Sequence, residues 1–432
     1  MSSVSVSDTL QSLRLRAGER FTALGWPTPR LEEWKYTNLA PVAKVQWRPA
    51  SGPVSIPPGE AMRLGGAAAE LVFVNGILAE KNGAPVSSPA PWSRRGVAGE
   101  DTGASTFIAT NFTSAGPAIE EHLGKYADLE RQAMVALNTS QFVDGALIDV
   151  PAGKVVDGFI HLLFIGHGDG VWSHPRVLIV AGSNSQVTVV ETYVGTGAYF
   201  TNAVTEIVAG DGAVVDHYRV ECESREAFHT GAVYSHQQRS SSFTSRNVAI
   251  GGAIVRNDLN AVLAGEGASL VFDGLFVGTG NQHIDNHTTI DHASPHCDSQ
   301  ELYKGVLDEQ SRGVFDGRIV VRPDAQKTIS RQENHNLLLS ETAIIDSKPT
   351  LEIHNDDVKC NHGSTIGQIA EEPMFYLRSR GISESDARSL LVYAFAAEIV
   401  DRMKLEAVQE HVRRALFRQM PERLPERRES PR

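Results

Sequence analysis

From about Phe142 to Ile353 the sequence is a series of short apolar, β-branched runs set between Gly, Asn, Asp and Ser. FIHLLFIG, RVLIVAG, QVTVVETYV, AVTEIVAG, AVVDHYRV, NVAIGGA, ASLVFDGLFVG and GVFDGRIVV follow one another along it. Runs of this length and composition read as strands, and the small polar residues between them as turns. Hardly any helical period intervenes, so the section is all-β. A sandwich, a barrel and a solenoid of stacked rungs each bury such a series. Two details favour the solenoid. Val271-Phe272-Asp273-Gly274 recurs as Val314-Phe315-Asp316-Gly317, and VLIVAGSNSQVTVV sets β-branched residues beside small corner residues, as a rung would. The pattern alone leaves the sandwich and the barrel open.

The flanks are different. Ser7 to Leu24 has Leu10, Leu13, Phe21 and Leu24 near helical spacing, and Ala118 to Leu137 reads as a second helix. Ser51 to Ala98, rich in Pro, Gly, Ala and Ser, reads as loops around one strand at Leu71 to Val74. After the β section a short helix is expected from Glu371 to Arg380, stopped by Gly381 at the C′ position. Ser383 offers the next N-cap, with Asp386 three residues on. The helix it starts carries Leu390, Leu391, Ala394, Phe395 and Ile399 on one face, and a third helix covers about Leu405 to Arg418. That face suits packing against the β core, and it also suits a docking surface. The expected division is 1–140 helical and loop, 141–360 β, and 361–432 helical.

Composition removes several functions. The formal charge of −12 disfavours nucleic acid and anionic membranes as partners. The Arg-rich end from Arg413 to Arg432 is interleaved with Glu and Pro and reads as solvated. The three cysteines, Cys222, Cys297 and Cys360, are far apart and form no disulfide framework, which suits a reducing compartment. The opening residues lack the apolar run of a signal peptide, and no stretch of about 18 apolar residues occurs. The expected location is the cytoplasm. There is no G-x-x-x-x-G-K-[ST] loop for ATP and no G-x-S-x-G elbow for acyl transfer.

Two groups of residues could bind metal. Cys360 and His362 stand at i and i+2, so on a strand both point to one side. Thiolate and imidazole are ligands for Fe²⁺ or the edge of an iron–sulfur cluster, but two are too few for a closed site. A buried thiol beside a hydrogen-bonded histidine is the plainer reading. His283, His287, His292, His296 and Cys297 form the second group. Their spacings do not share one strand face, so rung and interface histidines explain them better than a site. Glu32-Glu33-Trp34 reads as surface charge beside a packed aromatic residue.

The stretch from Lys348 to Val400 resembles the C-terminal signature of the SufB/SufD family of iron–sulfur assembly proteins. The resemblance lies in Lys348-Pro349-Thr350-Leu351-Glu352, in Cys360-x-His362-Gly363 with Thr365 and Gly367, and in Phe375-Tyr376-Leu377-Arg378-Ser379-Arg380-Gly381. Ala394-Phe395-Ala396 and Glu398 follow in order. Gln282 to Val306, Asp316-Gly317-Arg318-Ile319 and the early EEWKYTNL, Glu32 to Leu39, are similar to other family segments. Asp356-Asp357-Val358-Lys359-Cys360-x-His362-Gly363 and Trp34-Lys35-Tyr36-Thr37 resemble the branch that partners SufB rather than SufB itself.

The resemblance implies a right-handed parallel β-helix between helical N- and C-terminal domains. It also implies a non-enzymatic scaffold bound to SufB and to the ATPase SufC, with SufC on the C-terminal helices. Phe375, Tyr376, Arg378, Arg380, Leu391 and Phe395 are then the expected docking residues, and Cys360 and His362 would lie near the SufB interface. No tightly bound cofactor is expected; iron or a nascent cluster would be transient and shared with SufB. A homodimer in isolation stays open. A β-helix enzyme acting on polysaccharide and a SufB-like sulfur acceptor are the alternatives. The acidic chain and the missing signal weigh against the first, the few cysteines against the second.

Overall fold

The computed structural model describes residues 6–49, 63–85, 107–112 and 117–419. Its centre is a β-solenoid. Consecutive strands alternate between two sheets, so each pairs with the strand two places along. Gln186–Thr196 runs parallel to Phe159–His167 and Val214–Cys222. Phe200–Ala209, between them in sequence, runs parallel to Arg176–Ala181 and Phe228–Gln237 in the opposite sheet. Eight strands of each sheet make up the stack. Both faces of most strands are covered, which explains their near-continuous apolar runs.

One corner shows the true repeat. The chain enters the left-handed region once per turn, at Asn184, Gly212, Ser240, Gly267, His296 and Lys327, with φ from 55° to 71°. Each N–H there donates to a carbonyl one turn on: Asn184 to Asp211, Gly212 to Arg239, Ser240 to Glu266, Gly267 to Pro295, His296 to Gln326, and Lys327 to Asp357. The Val-Phe-Asp-Gly recurrence is not this repeat. One copy lies in Ser269–Gly278 and the other in Arg312–Val321, on opposite sheets. The copies share a packing solution instead. A Cβ on Gly274 would meet the Tyr303 ring at 2.1 Å, and one on Gly317 would meet Gln332 Nε2 at 2.4 Å.

The helices lie on the outer faces of the sheets. Val6–Leu24 packs on Ala133–Gln141. The single helix expected over Ala118 to Leu137 is two, Ala118–His122 and Ala133–Gln141. Gly124 turns the chain at φ 74°. The N–H groups of Gly124, Tyr126 and Ala127 donate to the buried Glu206 carboxylate at 2.8, 2.9 and 3.1 Å. That acceptor takes the place of helix carbonyls. The strand expected at Leu71 to Val74 is Ala67–Val74, paired in parallel with Phe159–His167. Most of the Pro- and Gly-rich stretch around it, and the Arg-rich end beyond Gln419, lie outside the described residues.

The C-terminal helices Glu371–Ser379, Glu384–Asp401 and Glu406–Gln419 follow the last strand. Gly381 stops the first at φ 84°, and Ser383 Oγ caps the second by accepting from the Asp386 N–H at 3.1 Å. The buried face of the second differs from expectation. Ala387, Val392, Ala396, Ile399 and Val400 are buried, whereas Leu390 is 38 % exposed. Small and β-branched residues let this helix lie close on the sheet, which displaces the bulkier face sideways. Contacts tie it to successive turns: Arg388 to the Leu339 carbonyl, Lys304 to Glu398, Arg402 Nη1 to Asp273 at 3.0 Å, and Lys404 just beyond it to Asp216 at 3.0 Å.

Candidate functional site

The stack ends in two strands with a free edge. Ile344–Ile353 pairs only with Arg312–Val321, and Lys359–Gly367 only with Ile329–Leu338, among the described residues. Ile329, Ile344, Ile353 and Ile366 are exposed there. An open edge bordered by apolar side chains is a template for another strand.

Cys360, His362 and Ser364 sit on the inward face of the last strand. Ser364 Oγ lies 2.8 Å from Ser347 Oγ of the opposite sheet, and the Cys360 side chain packs against the interior core. The period of two puts His362 on the same side. At about 3.3 Å per residue, Cys360 and His362 are about 7 Å apart along the strand. Burial pushes the Cys360 thiol up, partly offset by a hydrogen bond from the Ser330 backbone. His362 is exposed. Among the described residues no three His, Cys, Asp or Glu side chains gather to hold a metal ion. Cys360 and His362 thus stand at the open end with no third such side chain gathered beside them among the described residues.

The rows behind them are polar. Ser330, Gln332 and Asn334 stand in register with Cys360, His362 and Ser364, and behind those come Ser299, Glu301 and Tyr303. Gln332 Nε2 donates to Glu301 Oε2 at 2.7 Å, Asn334 Nδ2 donates to the Tyr303 carbonyl at 3.2 Å, and the Ser299 and Ser330 hydroxyls meet at 2.7 Å. Burial pushes the Glu301 carboxyl up to about 7, against the hydrogen bond from Gln332 that lowers it. Sequence reasoning missed this second row. Its signal was the alternation of polar residues in SRQENHN, which reads as solvent-facing until the register turns it inward.

The second histidine group is dispersed. His283 and His287 flank Asp285 on the outer face, beneath the early EEWKYT segment. Thr37 Oγ1 donates to Asp285 and lies 2.7 Å from His283 Nε2. Arg256 lies 3.9 Å from the Trp34 ring centre and donates to the Glu33 carbonyl at 2.6 Å. Trp34 is buried, so that segment fastens the N-terminal layer to the stack. His292 points inward to Ser299 Oγ at 2.9 Å, and His296 occupies the corner. Cys297 is buried, and burial pushes the Cys222 thiol up to about 12.

Of the expected docking residues, Phe375, Tyr376, Arg378 and Arg380 are exposed. Phe375 is 74 % and Tyr376 56 % exposed, and no residue of Glu371–Ser379 is buried. The Arg380 guanidinium lies 4.9 Å from the Tyr376 ring centre, and Arg378 pairs with Glu384 at 3.1 Å. Leu391 is half-buried. Phe395 is engaged by the stack, with Lys304 Nζ 4.3 Å from its ring centre. No helix among the described residues is long and apolar enough to cross a membrane.

The family model described as SUF system FeS cluster assembly, SufBD core domain, matches residues 164–395, more than half of the chain. The chain belongs to the SufBD family. An iron–sulfur cluster assembly SufBD family protein of Synechocystis sp. is 32 % identical, over 94 % of this chain and 90 % of its own. The iron–sulfur cluster assembly protein SufD of Escherichia coli is 29 % identical, over 92 % and 90 %. The protein of the same name in Bacillus subtilis is 28 % identical, over 71 % and 69 %.

Proposed function

We propose that this chain is a scaffold subunit in SUF iron–sulfur cluster assembly, with no covalent step of its own. Its open solenoid end receives a SufB chain, and the exposed helix Glu371–Ser379 receives the ATPase SufC. One observation carries the reading: the free strand edge, the exposed isoleucines and the inward pair Cys360 and His362 meet at the same end. Iron or a nascent cluster is the substrate there. Cys360 and His362 supply two of its ligands, and the SufB chain supplies the rest. Three unpaired cysteines suit work in the cytoplasm. The free edge also accommodates a second copy of this chain when SufB is absent.

The test is co-expression with SufB and SufC, followed by affinity purification and iron and sulfide analysis. The wild-type chain should hold both partners. His362→Ala should keep them and lower the cluster content on the order of tenfold. Cys222→Ser, far from the open end, should change neither. Full cluster content with His362→Ala would end the metal reading and leave the scaffold reading standing.

A further inference from the structure

The inward row that ends at His362 runs Phe272, Glu301, Gln332, His362 across four parallel strands. Gln332 is fully buried, and its two amide atoms have different fates. Nε2 donates to Glu301 Oε2 at 2.7 Å, while Oε1 is buried without a partner. A buried unpaired amide oxygen costs about 1–3 kcal/mol, so it calls for a donor. Glu301 fixes which atom is left. Above its pKa of about 7 Glu301 is an ionised carboxylate, which only accepts, so there it selects the NH₂ end of the amide. Gly317 makes the room, since a Cβ there would meet Nε2 at 2.4 Å. The amide is thereby locked with its oxygen free. The next side chain along the row is His362, one strand spacing of about 4.8 Å away.

We propose that Gln332 Oε1 accepts the N–H of one His362 ring nitrogen, and that Glu301, by holding the Gln332 amide, fixes His362 in a single tautomer with its other nitrogen bare at the open end. Gln332 and Glu301 are positioning residues in this arrangement. A metal-binding imidazole needs one nitrogen free of hydrogen, and the hydrogen bond made by the other nitrogen decides which one it is. The value of the relay for iron or cluster handling rests on the function proposed above. The tautomer itself does not, because it belongs to the metal-free chain.

The experiment is nitrogen NMR of the full chain labelled with ¹⁵N-histidine, with His362 assigned by its loss in His362→Ala. Wild-type His362 should show one tautomer at pH 8, where Glu301 is ionised. Gln332→Leu and Glu301→Leu should convert it to the fast-exchanging mixture of a free histidine. Glu301→Gln should preserve the single tautomer, because its side-chain carbonyl still accepts from Gln332 Nε2. A mixture in the wild-type chain overturns the proposal without any variant, as does a single tautomer that persists in folded Gln332→Leu. In the complex with SufB and SufC, Gln332→Leu should lower cluster content on the order of tenfold. If the tautomer behaves as stated while His362→Ala leaves clusters intact, the relay stands and the metal reading falls.

Discussion

Glu301 is the residue whose charge most clearly opposes the fold. Its pKa in the folded chain, about 7, lies above the ordinary 4.5 because burial penalises the charged form. The protonated form is therefore favoured on folding. The stability this gives is complete below pH 4.5 and is lost as pH rises to about 7. The loss amounts to roughly 3 kcal/mol above that range. Glu301→Gln removes the charge and keeps the acceptor for Gln332. It should melt close to the wild type at pH 4.5 and a few degrees above it at pH 8, followed by circular dichroism. Equal melting at both values would mean that the carboxyl is not held in a dry site. Cys360 and His362 could be proposed from the sequence because they lie in an ordered signature. Glu301 and Gln332 could not. Their inward direction depends on a register between Asp298–Leu307 and Ile329–Leu338, strands separated by a full turn of chain.

At the scale of elements, half of the strands were legible and the repeat was not. β-Branched runs announced eight of the sixteen strands of the stack, most of them covered on both faces. The corner that sets the period is occupied by Asn, Gly, Ser, Gly, His and Lys, and no composition rule unites them. Backbone hydrogen bonding selects the left-handed conformation there, whichever side chain is present. That conformation costs a non-glycine residue about 1–2 kcal/mol. His296→Gly and Lys327→Gly should therefore stabilise the chain slightly, by up to about 1 kcal/mol each, once the added freedom of the unfolded glycine is subtracted. Thermal denaturation checks this, and a clear loss of stability in both would show that these side chains, not the backbone, hold the corner. The helix over Ala118 to Leu137 was misread for a related reason. Its periodicity was adequate, but Glu206, distant in sequence, captured the N–H groups at Gly124, Tyr126 and Ala127.

For the molecule as a whole, the two proposed partner surfaces lie on different elements and can be removed one at a time. Ile366→Lys places a charge at the free edge and should weaken SufB binding on the order of tenfold or more while leaving SufC bound. Phe375→Asp should do the reverse. Pull-down from the co-expressed complex reads both, and loss of both partners from either variant would merge the two surfaces into one. The solenoid architecture was only one of three that the β section allowed, because a sandwich, a barrel and a stack use the same strands. Pairing between strands two places apart distinguishes them, and that pairing is invisible in local sequence.

The contacts of the C-terminal helices have a mechanical consequence. Arg388, Glu398, Arg402 and Lys404 grip the stack at Leu339, Lys304, Asp273 and Asp216, points spread over successive turns. A stack held only by neighbour-to-neighbour pairing peels from its end, one turn at a time. A strap riveted along its length loads those turns in parallel. A pull applied at Phe375 is then shared as shear among several rungs, and the stack answers as a stiff rod whose open tip carries Cys360 and His362.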